Sequence, residues 1–349
     1  MRSRKRVMEA IFFLGMMGLT FWIIFHGQKP GVLFRELRDM KAGALVGSVV
    51  LALFFVAAEG SMIYILLHAM EGTSSLWRCI QYSYIGFFYS GITPSATGGQ
   101  PMQLYYMKKD GNELSKSSIV LMTVALLYKL VLVLVGLGLL IFSYSFLQER
   151  LGRYLMLYFL GLFLNILLVV LILGAMFCPG VLYGIYSRVE SGLIRLRLLK
   201  ESESRTAKVR QFFEEYHEAV NWLKEHPAHV LLVTGLTFIQ RSSLFVLTYL
   251  VYLGFGLSGT PAWEVIVLQA SVYIAVDMLP LPGAQGITEW MYRSVFQGIF
   301  TGGYLVPSML VSRGINFYFL LLISMGFAVS QIGQRSGKKV LDTKEKNIV

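Results

Sequence analysis

Six ionisable residues interrupt long apolar stretches of this chain: Glu59, Lys129, Arg241, Asp277, Glu289 and Arg313. A charge held at membrane depth is costly, so each should face a protein interior and meet a partner or water. Three are cationic and three acidic, so one interior could receive a phosphodiester beside Lys129, Arg241 or Arg313. An ammonium or a sugar would suit Glu59, Asp277 or Glu289. The competing use of the same residues is mutual pairing that locks the chain together. For Glu59 and Lys129 both uses stay open, whereas Glu289 is favoured as a site residue because it follows a broken helix.

Two polar, helix-breaking stretches lie among these charges. Gly91 to Pro101 reads GITPSATGGQP, inside an apolar segment from about Trp77 to Met107, and Leu279 to Glu289 reads LPLPGAQGITE. Proline and glycine break helices, so neither segment is one straight span. Unwound backbone survives in a bilayer only where protein buries it or water lines it. Corresponding breaks in two halves of a chain are the sequence pointer to a transporter binding site. The candidate binding residues here are Pro94, Ser95, Gly98, Gly99 and Gln100 in the first stretch, and Pro282, Gly283 and Gly286 in the second. Helix halves starting there would aim amides at an anion. Thr97, Gln103, Gln285 and Thr288 could add neutral hydrogen bonds, while Ser95 and Thr288 are better read as helix caps.

Composition decides the class. Of 349 residues, 55% are hydrophobic and only 15% charged, with mean hydropathy +0.61. That describes an all-α polytopic membrane protein. The +11 net charge does not indicate nucleic acid, because Lys and Arg gather at span ends and no recognition module accompanies them. Cys79 and Cys178 sit beside apolar segments without a CxxC pattern, which reads as two inert buried thiols. No Walker A loop, HExxH, GxSxG or metal-site histidine pattern is present, so no catalysis, cofactor or metal is expected. Movement of a substrate would then be downhill or coupled to an ion gradient, with Glu59, Asp277 and Glu289 as candidates for a proton.

Along the chain, the basic MRSRKR start and the apolar run Val7 to Phe25 read as an uncleaved first span with a cytoplasmic N-terminus. Gly31 to Lys41 has the apolar spacing of a short interfacial helix. Full spans follow at Gly43 to Met70, Ser117 to Phe142, Tyr154 to Phe177, Val230 to Leu253 and Leu305 to Ile332, with QERLGR as a short loop. The positive-inside rule then makes both broken segments re-entrant hairpins, 77–107 from the inside and 263–300 from the outside. The result is about eight transmembrane segments in an inverted repeat, 1–146 and 147–334, each half holding three full spans and one broken hairpin. A cytoplasmic helical insertion at 183–227 carries an apolar face (Val209, Phe212, Phe213, Tyr216, Val220, Leu223) suited to the membrane surface or the span ends, with a docking site for another protein as the alternative. A basic cytoplasmic tail, 335–349, closes the chain. The competing description is eight ordinary spans without symmetry.

TPSATGGQP followed by a KKDG turn, the later LPLPGAQGITE, and Arg313 in the final span together resemble the transmembrane, flippase-like domain of lysylphosphatidylglycerol synthases. The resemblance covers essentially the whole chain, and it favours Arg313 as a site residue. It implies a fold that moves a membrane lipid between leaflets of a bacterial plasma membrane, the lipid being a phospholipid, an aminoacylated phospholipid or a glycolipid. Two departures matter. No large soluble aminoacyl-transfer domain follows, so that reaction is not expected of this chain. Where many relatives carry an acidic-arginine pair in the span after the first motif, this one has Tyr128 and Lys129, which leaves the lipid open. The alternatives are a membrane-embedded lipid transferase, a non-transporting partner of a lipid-modifying enzyme, and a transporter of a small soluble solute. Oligomeric state is left open too.

Overall fold

A computed structural model describes residues 38, 40–93, 96–195, 203–279, 281–284 and 286–331. The expected first span, most of the expected interfacial helix and the basic tail lie outside the described residues. Every regular element among the described residues is helical. Five helices are long and apolar enough to cross a membrane: Ala42–Ala69, Leu114–Phe142, Tyr144–Phe177, Pro227–Gly254 and Leu305–Gln331. The chain is thus a membrane-embedded, multi-pass helical protein.

In chain order the helices are α1 (Ala42–Ala69), α2 (Leu76–Ile92), α3 (Gly99–Lys109), α4 (Leu114–Phe142), α5 (Tyr144–Leu151), α6 (Leu155–Phe177), α7 (Pro179–Arg195), α8 (Glu203–Glu225), α9 (Pro227–Gly254), α10 (Ala262–Val276), α11 (Ile287–Val295) and α12 (Leu305–Gln331). The expected spans are found within about three residues at each described end. Local chemistry sets the differences. Pro227 occupies the first turn of α9, where its missing N–H costs nothing, so that helix starts before Val230. QERLGR is not a loop: Leu147 and Leu151 are an i,i+4 pair, both buried, and they hold α5 helical until Gly152 turns the chain at positive φ.

The broken segments are helical hairpins. Helix α2 has 17 residues and α3 has 11, so at ~1.5 Å per residue neither reaches across ~30 Å of hydrocarbon. Their outer ends are bolted together. The Arg78 guanidinium straddles the Asp110 carboxylate, with Nη2 donating to Oδ1 at 2.9 Å and Nε to Oδ2. Tyr82 also donates to Asp110, and Asn112 Nδ2 donates to Ser74 Oγ at 2.7 Å. Burial alone would raise the Asp110 carboxyl, but the hydrogen bonds from Arg78 and Tyr82 outweigh it and hold the group below its ordinary range. The clamp therefore stays ionised at neutral pH.

Helix α10 has 15 residues and α11 has 9, and these also fall short of a full crossing. Their outer ends rest on the connection after α4. Arg150 Nη2 pairs with Glu264 Oε2 at 3.1 Å, and the Tyr154 hydroxyl and Ser294 Oγ are 2.9 Å apart. The first clamp precedes α4 and the second follows it, so the two hairpins extend from opposite ends of that helix.

Close helix contacts fix these pieces. The most extensive packing is between α1 and α9, where Gln240 Nε2 donates to the Phe55 carbonyl at 2.7 Å. Helix α6 meets α10 at Gly161, where a Cβ would lie 2.2 Å from the Ile274 carbonyl oxygen. Helix α8 packs on the span ends, one of the environments expected for it: Tyr216, Ala219, Val220 and Leu223 are buried, and Ser115 Oγ donates to Glu215 Oε2 at 2.8 Å, which seats α8 on the end of α4. Cys79 is buried as expected, but Cys178 is exposed because it ends α6 where the chain turns into α7.

Candidate functional site

The first break begins where Thr93, the residue before Pro94, leaves helical geometry at φ −112° and ψ 145°. Its hydroxyl donates to the Tyr89 carbonyl at 2.7 Å and accepts from the Gly98 amide at 2.9 Å, which fastens the turn at both ends. Gly99 then starts α3 directly against α2. A Cβ there would stand 2.1 Å from Ser90 Oγ and 2.7 Å from the Gly86 carbonyl oxygen, so only glycine fits. Gln100 is exposed, and its Nε2 reaches the Leu121 carbonyl at 3.5 Å. Pro94 and Ser95, with the expected cap at Ser95, lie outside the described residues.

The second break runs from Asp277 to Gly286 through positive φ at Gly283 (58°), Ala284 (50°) and Gly286 (79°). Here the helix start is occupied by the chain itself: Glu289 Oε2 accepts from the Gly286 amide at 2.7 Å. The capping expected of Thr288 is therefore carried by Glu289, while the Thr288 hydroxyl donates back to the Ala284 carbonyl at 2.7 Å. Pro282 and Gly283 belong to a short turn that touches α2. Gln285 lies outside the described residues.

Charges are paired across these breaks. Arg313 Nε donates to Glu289 Oε1 at 2.8 Å, and Nη2 donates to the Gly283 carbonyl at 2.9 Å, so one guanidinium holds both a carboxylate and unwound backbone. Lys129 pairs with Asp277, whose other oxygen accepts from the Tyr128 hydroxyl at 3.0 Å. Glu59 accepts from Gln103 Nε2 at 2.6 Å, and Gly86 leaves the room that Gln103 needs. Of Glu59 and Lys129, for which pairing and substrate contact both stayed open, Lys129 takes a charged partner and Glu59 a neutral one. Arg241 is 2% exposed and rests on rings, with its guanidinium carbon 3.3 Å from the Tyr128 centroid and 4.5 Å from that of Phe55.

The end of α2, just before the first break, and the second break meet at one ring. A Cβ on Gly91 would be 3.6 Å from Phe317, and one on Gly283 would be 2.1 Å from it. Phe317 lies in a π-helical turn, Gly314–Phe319, that widens α12 directly after Arg313. Such turns recur at functional sites, where they re-aim the side chains beside them. Sequence reasoning missed Phe317 and this turn, since an aromatic in an apolar span carries no distinguishing signal. Tyr128 was visible only as a departure from a motif. Among the described residues no cluster of three or more His, Cys, Asp or Glu could hold a metal ion.

A family model described as lysylphosphatidylglycerol synthase TM region matches residues 9–324. Compared with curated proteins, the chain matches none.

Proposed function

Because this chain belongs to the lysylphosphatidylglycerol synthase TM-region family, which points to work on membrane lipids, we propose that it is a lipid flippase. The polar headgroup crosses where the two breaks meet, while the acyl tails stay in the bilayer. The observation that carries this reading is the convergence on Phe317 of the last turn of α2, directly before the first break, and the unwound second break, from hairpins based at opposite ends of α4. In a bilayer the hairpins are then re-entrant from opposite faces and the chain is an inverted repeat, with its broken helices at the midplane. Within this reading the membrane is the plasma membrane and both termini are cytoplasmic.

The charges fit a headgroup better than a rigid core would require. In this reading the three cations and three carboxylates line a midplane path, and polar groups at such depth are kept where substrates or ions pass. A phosphodiester moving along the path exchanges one cation for the next instead of entering bare hydrocarbon. Each step replaces one charge-assisted hydrogen bond by another.

The test is leaflet exchange of headgroup-labelled lipids in liposomes containing the purified protein, against protein-free vesicles. Exchange of at least one lipid class is expected to accelerate by an order of magnitude or more. No acceleration of any class, from protein whose melting transition shows it folded, would contradict the flippase reading and favour a lipid transferase or a non-transporting partner.

A further inference from the structure

A groove between α7 and α8, with a volume of about 610 Å³, shares no residue with the membrane charges or the two breaks. Tyr183 of α7 and Phe213 of α8 form its apolar wall, edge to face with ring centroids 5.5 Å apart. Glu214, His217 and Glu218 of α8 are exposed along its rim. Glu214 pairs with Arg210 at 3.0 Å, but at 63% and 77% exposure water screens the pair and another cation displaces it at little cost. Rings beside carboxylates suit a lysine side chain, whose methylene stem packs on aromatics while its ammonium meets an anion.

The sign of the charge decides what fits. This end of the bundle is otherwise basic, with Lys108, Lys109 and Lys116 around the start of α4, on which α8 sits. Along α8, by contrast, Glu214, Glu215, Glu218 and Glu225 stand against Lys224 alone. Such a helix face repels an anionic lipid surface and attracts a basic segment. The chain itself holds one. Residues 338–344 read KKVLDTK, in which Lys338, Lys339 and Lys344 flank Val340 and Leu341, the converse of carboxylates around rings. They follow α12, and that helix ends on the side of the groove. Phe327, near its end, stacks on Tyr84 and meets Trp77, both in the half of α2 that carries the Arg78 and Asp110 clamp before α4. Lys338 is seven residues past Gln331 and Lys344 thirteen, reaches of at most about 24 and 44 Å at ~3.4 Å per residue. A segment tethered this closely meets the groove at an effective concentration on the order of 1 mM, so a weak fit suffices to fill it.

We propose that the groove between α7 and α8 is a docking site for this chain's own segment 338–344, with Val340 and Leu341 against the Tyr183 and Phe213 rings and the lysines at Glu214 and Glu218. The contact does not depend on what crosses the membrane.

Disulfide cross-linking of the full-length protein with copper phenanthroline as oxidant tests this, in phosphatidylcholine vesicles with and without phosphatidylglycerol. In a background where the exposed Cys178 is serine, Lys344→Cys is combined either with His217→Cys in the groove or with Lys108→Cys, an exposed position at the same end outside it. The groove pair is expected to form a disulfide within one chain about tenfold faster than the Lys108 pair in both kinds of vesicle. Adding Glu214→Lys and Glu218→Lys to the groove pair should bring its rate down to that of the Lys108 pair. Raising salt to about 0.5 M should slow the groove pair several-fold with no further substitution. Equal rates for the two pairs, or a groove rate that neither salt nor the lysine replacements change, would overturn the proposal. So would disulfides that form only between chains, which would make a second copy the occupant. A groove disulfide seen only without phosphatidylglycerol would overturn it too, by giving the segment to the lipid surface.

Discussion

Arg313→Ala is expected to lower stability by about 3–5 kcal/mol and to abolish lipid exchange, because it strands a buried carboxylate and frees unwound backbone at one stroke. The pair is well enclosed, at 9% exposure for the Arg313 side chain and 18% for Glu289. Removing the guanidinium leaves the Gly283 carbonyl without its donor as well. Arg313→Lys keeps the charge but cannot hold carboxylate and carbonyl together with one planar fork, so an intermediate loss is expected. A double replacement, Arg313→Leu with Glu289→Leu, separates the two consequences. Removing both charges should recover part of the stability, less about 1 kcal/mol for the lost cap at Gly286 and the cost of the Gly283 carbonyl left without its donor, because no buried charge is then left alone. Exchange should not recover. Thermal melting in detergent and exchange in liposomes read the two effects, and recovery of exchange by the double variant would show that the pair only braces the fold.

Gly161→Ala should be the second most damaging change, although it adds one methyl group. The new Cβ would stand 2.2 Å from the Ile274 carbonyl oxygen and 2.7 Å from Ala275 Cα. Both are backbone atoms, and no rotamer change can move them. Helix α10 must shift away from α6, at an expected cost of about 3 kcal/mol. Asp277 follows α10 directly, so the shift also draws its carboxylate from Lys129 and should reduce exchange. Gly174→Ala, on the same helix, is the control: no atom lies within 4 Å of its Cβ position, and relief of backbone entropy should leave it neutral or stabilised by about 0.5–1 kcal/mol. Equal melting temperatures for the two variants would contradict the close α6–α10 contact.

Much of this architecture was legible because hydrocarbon solvent leaves few choices. Long apolar runs had to be helices, and Pro94, Gly98 and Gly99 or Pro280, Pro282 and Gly283 had to interrupt them. The inventory of charges was legible for the same reason, since each stands out against its apolar neighbours. Their partners were not. Lys129 and Asp277 are 148 residues apart, and nothing local tells Lys129 to choose Asp277 over Glu59. Nor does local sequence reveal that Glu289 caps its own helix and therefore occupies an amide end that had been read as open to an anion. The residue that joins the two breaks, Phe317, was the least legible. Its role comes from a π-helical turn and from two glycines, Gly91 and Gly283, placed far from it in the chain.

The claim that a headgroup passes where the breaks meet is tested most directly by blocking that place. Thr97 and Leu281 are exposed positions at the first and second breaks, and Phe163 is an exposed position on the outer face of α6. Each is replaced by cysteine in turn, in a background where the exposed Cys178 is serine, and treated with a bulky thiol reagent before leaflet exchange is measured. Modification at Thr97→Cys or at Leu281→Cys should stop exchange, while modification at Phe163→Cys should leave it unchanged. Exchange at an undiminished rate after complete modification at both breaks would contradict the account.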